Sequence, residues 1–239
     1  MGNLIVVTGS PGSGKTCVAV KLAKELYQKE KKTVILLSPD LYVPIMPFLF
    51  PRKNQQVYSL GGVLEHTEIT PNDILKALVT PKDKKDLGVL GYTRGEHVYS
   101  YAQPTPDKVQ QLLTGVQHLA HHVVVDATGR TEDLISQCSL LQASRLVQLI
   151  VPDVKSLAYY LSLGRELYPD AGGIQVLNRV QGEIPSAEPE VLEFFKHIQV
   201  TLPHSKELGY QAMSGLLLDS MGDGKYRAAM AALAKAVTT

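Results

Sequence analysis

The chain has 239 residues, and at about 150 residues per domain this length fits one large domain or two small ones. Hydrophobic residues make up 44% and charged residues 20%, which predicts a packed core and excludes a globally disordered chain. The 24 basic and 23 acidic residues leave a net charge of +1, so no bulk charge points to nucleic acid and we expect no such partner.

The composition also bears on the cellular compartment. Two cysteines, Cys17 and Cys138, are too few for a disulfide framework. No apolar run approaches the roughly 20 residues of a membrane-spanning helix, and the first residues do not have the pattern of a signal peptide. We therefore expect a soluble cytoplasmic protein.

The N-terminal segment predicts a βαβ unit. Residues 4–7 are continuously apolar, as in a strand that is buried on both faces, and a glycine-rich loop follows at residues 9–14. Apolar residues at helical spacing begin at Ala19, and residues 33–37 form a second buried strand. Such a unit implies a parallel sheet.

Strands and helices continue to alternate along the rest of the chain. Residues 52–103 have the least regular pattern, with short strands predicted near 57–60 and 89–91 and a helix near 73–79. Thr105, followed by a proline and an acid, has the residues of a helix start. The remaining predictions are strands at 123–126, 146–151, 174–178 and 198–202, a helix with Val154, Leu157, Ala158 and Leu161 facing inward, and helices around 191–196, 206–213 and 226–237.

This order of elements predicts an α/β fold in three layers, with a mostly parallel central sheet flanked by helices. We find no internal repeat and no low-complexity linker, so residues 1–239 are predicted to form a single domain. The last helix carries an apolar stripe and three cations. That pattern fits a helix packed on the sheet, which we favour, and also one that touches a membrane surface.

The glycine-rich loop fits the pattern G-x-x-x-x-G-K-[ST] of a P-loop. Glycines let backbone N–H groups surround phosphate oxygens, and the N-terminus of the following helix adds partial positive charge. Lys15 would then contact the β- and γ-phosphates, and the hydroxyl of Thr16 would bind Mg²⁺. The predicted nucleotide-binding residues of this segment are Gly9, Ser10, Pro11, Gly12, Ser13, Gly14, Lys15, Thr16 and Cys17.

Acidic residues follow two of the predicted strands. Asp126 ends a buried strand and is followed at Gly129 by a glycine, so the carboxylate could hold a water bound to Mg²⁺ and the Gly129 N–H could face the γ-phosphate. Asp40 follows the second strand, where it could orient an attacking water. Both residues also fit a plainer interpretation as turn-forming or loop-capping aspartates.

Together these motifs resemble those of the MinD/ParA group of P-loop ATPases. In that group the second strand ends in D-x-D, a later strand ends in D-x-x-G, and an asparagine at a further strand end contacts adenine. Here Ser38-Pro39-Asp40 matches the first motif with its second, catalytic acid retained, and Asp126 to Gly129 matches the second motif. Asn178 and Arg179 resemble the adenine-reading strand end, so the resemblance implies an ATPase that binds ATP and Mg²⁺ and has Lys15, Asp40 and Asp126 as its catalytic residues.

One position departs from the usual pattern of the group. Its P-loop usually carries a second lysine after the first glycine, which reaches the nucleotide of the partner in a dimer, and here that position is Ser10. This looks like the atypical branch that includes ATPases of Tad pilus assembly and localisation. The resemblance implies a homodimer with weak turnover, which docks on a larger assembly such as a pilus or secretion system and has at most peripheral membrane contact.

Two other functions stay open from the sequence. The same P-loop would suit a small-molecule kinase, although the arginines are scattered where a kinase of nucleoside phosphates needs a cluster. The missing second lysine would also suit a nucleotide-binding scaffold that does not hydrolyse ATP. The sequence also predicts adenine over guanine, because Gln181 stands where a guanine-reading loop has its aspartate.

Overall fold

In the computed structural model of the chain, seven parallel strands form one sheet in the order β3-β2-β4-β1-β5-β6-β7. The structure describes residues 1–50, 58–130, 132–164, 173–179, 189, 193–195 and 197–239. The strands are β1 (Asn3–Gly9), β2 (Val34–Ser38), β3 (Leu87–Gly91), β4 (His122–Asp126), β5 (Arg145–Ile150), β6 (Ile174–Asn178) and β7 (Ile198–Leu202).

Helices cover both faces of this sheet. They are α1 (Lys15–Glu30), α2 (Met46–Leu49), α3 (Leu60–Glu65), α4 (Pro71–Ala77), α5 (Pro106–Leu119), α6 (Leu134–Gln142), α7 (Val154–Tyr159), which continues into a π-helical turn (Tyr160–Gly164), α8 (Lys206–Met213) and α9 (Gly224–Thr238). Thr105 caps α5 by accepting from the N–H of Lys108, as its sequence pattern predicts.

Two hydrophobic cores result from the alternation of side chains along the strands. On β1, Ile5 and Val7 pack with α1 and α9, whereas Leu4 and Val6 pack on the opposite face with α3, α4, α5 and α6. All four side chains are buried, because a central parallel strand is covered on both sides. The predicted three-layer fold is therefore confirmed.

Two local predictions are wrong. A strand near residues 57–60 is not formed at its described end, because the hydroxyl of Ser59 caps α3 and Leu60 begins that helix; residue 57 lies outside the described residues. The apolar stripe after β5 faces inward only at Leu157, which packs partly buried on the core, since Val154 is 68% and Leu161 52% exposed and Ser156 is the buried residue of α7. The helix predicted around 191–196 lies largely outside the described residues.

The C-terminal helix packs on the sheet, as favoured from the sequence. Tyr226, Met230, Leu233 and Val237 of α9 are all at most 3% exposed and belong to the core on the α1 face. Within the described residues, no helix has the length and apolar character needed to cross a membrane.

Candidate active site

The site lies where β1, β4 and β2 end next to one another in the sheet. The loop after β1 carries Lys15 and Thr16, β4 ends in Asp126, and Asp40 follows β2. Because the carboxyl ends of neighbouring parallel strands share one edge, residues far apart in sequence come together there. The topology thus explains why these four side chains surround a common space.

The loop between β1 and α1 needs glycine at particular positions. Gly12 and Gly14 both have φ of 83°, a left-handed conformation that other residues rarely adopt. Gly9 is required by packing, since a Cβ there would lie 2.6 Å from the Leu149 carbonyl oxygen and 2.8 Å from the Ser13 hydroxyl oxygen. Backbone geometry therefore accounts for the spacing of the motif.

The ammonium group of Lys15 is held inside this loop. Its Nζ donates to the carbonyl oxygens of Gly9 at 3.1 Å and Ser10 at 3.0 Å. Burial lowers the pKa of Lys15, and the negative charges of Asp126 and Asp40 oppose that shift. A cation in this position is well placed to bind a phosphate group.

Thr16 and Asp126 form the second part of the site. The Thr16 hydroxyl donates to Oδ2 of Asp126 at 2.8 Å, and Asp126 is only 4% exposed. Burial raises the pKa of Asp126 to about 6, against the opposing effects of the Thr16 hydrogen bond and the Lys15 charge. A hydroxyl and a carboxylate oxygen at this distance are the oxygen ligands that Mg²⁺ prefers, so these residues fit the predicted metal site.

Asp40 has a capping role in the structure as well as a place at the site. Its Oδ1 accepts from the backbone N–H groups of Tyr42 at 2.9 Å and Val43 at 3.0 Å. The loop-capping interpretation is therefore observed. Asp40 also lines the same cavity as Lys15 and Asp126, so its action on an attacking water stays a prediction.

The cavity at this edge has a volume of about 650 Å³. Part of its lining is polar and includes Lys15, Thr16 and Asp126. Gly129 also lines the cavity and packs its backbone against the P-loop, since a Cβ on Gly129 would lie 3.5 Å from Pro11. A further part of the lining is apolar. It includes Val43, Ile45, Phe48, Ala212 and Leu217.

Cys17 also lines this cavity, and burial raises the pKa of its thiol. A thiol that stays protonated is a packing group and a poor nucleophile. Its contribution to nucleotide binding stays a prediction.

The two residues predicted to read adenine lie at the end of β6. The Asn178 side-chain nitrogen donates to the Ser13 carbonyl oxygen at 2.8 Å, and Asn178 is 4% exposed. Asn178 therefore ties the end of β6 to the P-loop. Arg179 is exposed and its N–H bonds to the Leu202 carbonyl oxygen. Neither residue lines the cavity, so base reading by this pair stays a prediction.

Two cations outside the predicted motifs, Lys155 and Arg130, also lie at the site. An ideal Cβ on Gly12 would lie 4.0 Å from Nζ of Lys155, so this exposed side chain from the start of α7 reaches the P-loop. Arg130 lines the cavity, and its guanidinium carbon lies 3.4 Å from the ring centre of Tyr42. Arg130 directly follows Gly129, whereas Lys155 is brought to the P-loop by tertiary packing.

Comparisons with known proteins agree with this geometry at the level of the fold. A family model described as "Chromatin associated protein KTI12" matches residues 2–55, less than a quarter of the chain. No curated protein matches the sequence significantly.

Solved structures of MinD and of partition proteins share the whole architecture. The cell division ATPase MinD of Pyrococcus furiosus has a TM-score of 0.77 at 19% identity, with 100% of this chain and 99% of that chain covered. MinD of Pyrococcus horikoshii complexed with Mg-ADP has a TM-score of 0.77 at 17% identity, with 99% and 96% covered.

A third structure, ascribed to plasmid partition in Borrelia burgdorferi B31 and bound to AMPPNP, has a TM-score of 0.71 at 15% identity, with 98% of this chain and 97% of that chain covered. These similarities extend over nearly the full length of each chain. The chain therefore has the fold of the MinD/ParA ATPases.

Proposed function

We propose that this protein binds Mg-ATP and hydrolyses it as a switch ATPase of the MinD/ParA type. The observation that carries the proposal is the convergence of Lys15, Thr16, Asp126 and Asp40 on one cavity at the P-loop. The solved structures with this fold support it, since one holds Mg-ADP and another AMPPNP.

Each residue has a physical role in this proposal. Lys15 leaves the loop carbonyls and pairs with the β- and γ-phosphates, while the loop N–H groups and the start of α1 bind phosphate oxygens. Thr16 and Asp126 would hold Mg²⁺, the carboxylate through a water, and the bound ion would neutralise phosphate charge. Asp40 orients the attacking water, and the Gly129 N–H faces the terminal phosphate.

The adenine preference also belongs to this proposal. Asn178 and the neighbouring Arg179 lie at the end of β6, where the resemblance places base contacts. Because the Asn178 amide nitrogen bonds to Ser13, its carbonyl oxygen is the group left to accept from the adenine amino group.

The cellular role follows from the same resemblance. We propose a homodimer formed across the P-loop faces, which docks on a larger assembly such as a pilus or secretion system, with membrane contact no more than peripheral. Val43 and Phe48 support such an interface, since they line the cavity and are 62% and 58% exposed. Nucleotide would thereby control which surface the protein presents.

A kinase is the second candidate function, and a specific pocket favours it. This pocket of about 70 Å³ adjoins the nucleotide cavity, and Asp40 and Arg130 line both. Three tyrosines, Tyr42, Tyr92 and Tyr101, contribute to its walls. A small acceptor bound there would bring a hydroxyl group beside Asp40, which would take its proton as the γ-phosphoryl group transfers.

Turnover of ATP labelled in the γ-phosphate separates the three functions. We expect release of inorganic phosphate without any added acceptor, and its loss in the Lys15→Ala variant. Label that moves only to an added hydroxyl compound would identify a kinase instead. Tight Mg-ATP binding without either product would identify a scaffold, and no binding at all would overturn the P-loop assignment.

A further inference from the structure

A second cavity, of about 270 Å³, lies between α1 and α9. On one side are Lys21 and Lys24 of α1, and on the other are the loop residues Asp219 and Ser220 and Arg227 of α9. The cavity shares no lining residue with the nucleotide cavity, so its chemistry is separate from that of the P-loop.

The two lysines on its wall are buried. Lys21 is 4% and Lys24 5% exposed, and their spacing places them on one face of α1. Lysines buried to this degree are ordinarily paired with carboxylates. Within the described part of the chain, neither ammonium forms an ion pair; the recorded pairs are Lys29 with Glu25, Lys32 with Glu30 and His122 with Glu30.

Neutral oxygen atoms hold these ammonium groups instead. Nζ of Lys21 donates to the side-chain oxygen of Gln211 and to the Asp219 carbonyl oxygen at 3.0 Å. Nζ of Lys24 donates to the Ser220 hydroxyl at 3.3 Å, a long hydrogen bond. Since an ammonium group has three donors, Lys24 in particular has capacity for a further acceptor.

The charges around the cavity leave it positive. Burial and, to a smaller extent, the charge of Lys24 lower the pKa of Lys21 to about 8, while Asp219 and Glu207 oppose the shift. Burial and the nearby charge of Lys84 lower the pKa of Lys24, and Asp219 and Glu25 oppose that shift.

Two acids, Asp219 and Glu25, line the cavity together with three cations, Lys21, Lys24 and Arg227. Glu25 pairs with Lys29 at 3.5 Å, and Glu207 accepts from the backbone N–H groups of Gly222 and Asp223. Asp219 and Glu25 therefore balance only two of the three cations that line the cavity. An anion in the cavity would supply the missing counter-charge.

We propose that this cavity binds a small phosphate-bearing ligand, whose oxygens accept from Lys24 and Arg227. The phosphate group could belong to a free anion or to a lipid headgroup. A volume of about 270 Å³ is large enough for either, because a single water needs only about 10–15 Å³ on the same measure. The site does not depend on the proposed ATPase function.

Calorimetric titration with inorganic pyrophosphate tests the site in the full-length chain. A Lys15→Ala background removes the phosphate-binding lysine of the P-loop. We expect saturable binding at one site per chain, weakened about tenfold or more by Lys24→Met, which keeps the apolar stem of the side chain. Lys235→Met is the matched control, because Lys235 is exposed on α9 outside the cavity and its loss should leave the affinity unchanged.

A second variant and a second probe separate loss of the site from misfolding and a free anion from a lipid. Arg227→Met changes an exposed residue, so it should fold normally and still weaken pyrophosphate binding. Vesicles of equal parts phosphatidylcholine and phosphatidylserine test the lipid source, and binding to them that depends on Lys24 would assign the phosphate to a lipid. The proposal is overturned if neither probe binds saturably, or if Lys24→Met and Lys235→Met have the same effect.

Discussion

The carboxyl group of Asp126 is buried at the end of β4, where solvent cannot stabilise its charge. Its pKa of about 6 lies well above the ordinary value for aspartate, and burial is the main cause. Lys15 and Thr16 favour the charged form but do not outweigh this cost. An acid in this state links the stability of the folded chain to pH.

The sign of that linkage gives a prediction for the protein without metal or nucleotide. Between about pH 4 and pH 6 the unfolded chain has released the Asp126 proton while the folded chain still holds it, so the free energy of unfolding falls as pH rises through this range. Asp126→Asn should flatten the profile and raise the stability near neutral pH by about 2–3 kcal/mol. Urea unfolding between pH 4 and pH 6 measures the free energy of unfolding of both proteins. The same dependence on pH in the wild type and in Asp126→Asn would contradict the prediction.

Asp40 offers a test of catalysis at the residue scale. Because an interaction with the attacking water strengthens mainly in the transition state, Asp40→Ala should bind Mg-ATP almost normally and hydrolyse it more slowly. The variant also loses the cap on the N–H groups of Tyr42 and Val43, so Asp40→Asn, which can still accept from them, is the matched control. An unchanged kcat in both variants would leave Asp40 with the capping role alone.

Lys155 should contribute to nucleotide binding by its charge. Its ammonium lies beside Gly12 of the P-loop and is one of the charges that lower the pKa of Lys15. We expect Lys155→Met to weaken Mg-ATP binding by about fivefold, an effect that should shrink at high salt because exposed charges are screened. Lys76→Met is the control, because it removes an exposed lysine from α4 and should leave the affinity for Mg-ATP unchanged. Equal affinities of the wild type and both variants would show that Lys155 does not contribute to nucleotide binding.

At the scale of elements, α3 packs closely against the loop that carries Tyr101. This tyrosine lines the pocket of about 70 Å³ beside the nucleotide cavity. The Tyr101 hydroxyl donates to Glu96, which also accepts from the Ser59 hydroxyl at the start of α3. The Tyr101 ring lies on Gly61, where a Cβ would be 2.1 Å from a ring carbon. Gly61 therefore serves close packing between α3 and this loop.

Two adjacent glycines of α3 make a matched pair of variants. Gly61→Ala should lower the free energy of unfolding by about 1–3 kcal/mol, because the ring of Tyr101 must move. Gly62→Ala should be neutral or stabilising by up to about 1 kcal/mol, since its Cβ would meet only the Ser59 hydroxyl oxygen at 3.9 Å and alanine favours a helix. Thermal unfolding measures the stability of both variants. An equal loss of stability in Gly61→Ala and Gly62→Ala would contradict the packing argument.

At the scale of the whole molecule, the proposed homodimer should depend only weakly on ATP. Ser10 is 3% exposed, and its carbonyl oxygen accepts from Lys15 of the same chain, so its short side chain cannot reach a partner. A lysine there would add a charge-assisted contact in the interface, and without it nucleotide should shift the dimerisation constant by less than about 100-fold. Sedimentation without nucleotide, with ADP and with a non-hydrolysable ATP analogue measures this shift.

Two outcomes of that experiment would contradict the expectation. A strict monomer in all three states would rule out the dimer. A dimer that forms only with the ATP analogue would show that the protein senses the γ-phosphate strongly without a lysine at position 10.

The sequence by itself determined the elements whose causes are local. Strands at 174–178 and 198–202 and a helix at 206–213 have the bounds predicted for them, because apolar runs and a capping serine define them within a few residues. The P-loop is likewise contiguous, so its glycines and Lys15 are recognisable without the fold. The prediction failed at Val154, where packing partners distant in sequence decide which residues are buried. At Leu60 the cause is local, because the hydroxyl of Ser59 caps α3.

Only the tertiary structure decided which distant groups meet. Lys155 reaches Gly12, Asn178 bonds to Ser13, and Lys21 bonds to Gln211, and each contact joins segments that are far apart along the chain. The strand order and the course of the loops at the sheet edge set these contacts, and neither leaves a periodic signal in the sequence. Burial likewise depends on the assembled layers, which is why the raised pKa of Asp126 and the buried lysines of the second cavity emerge from the fold alone.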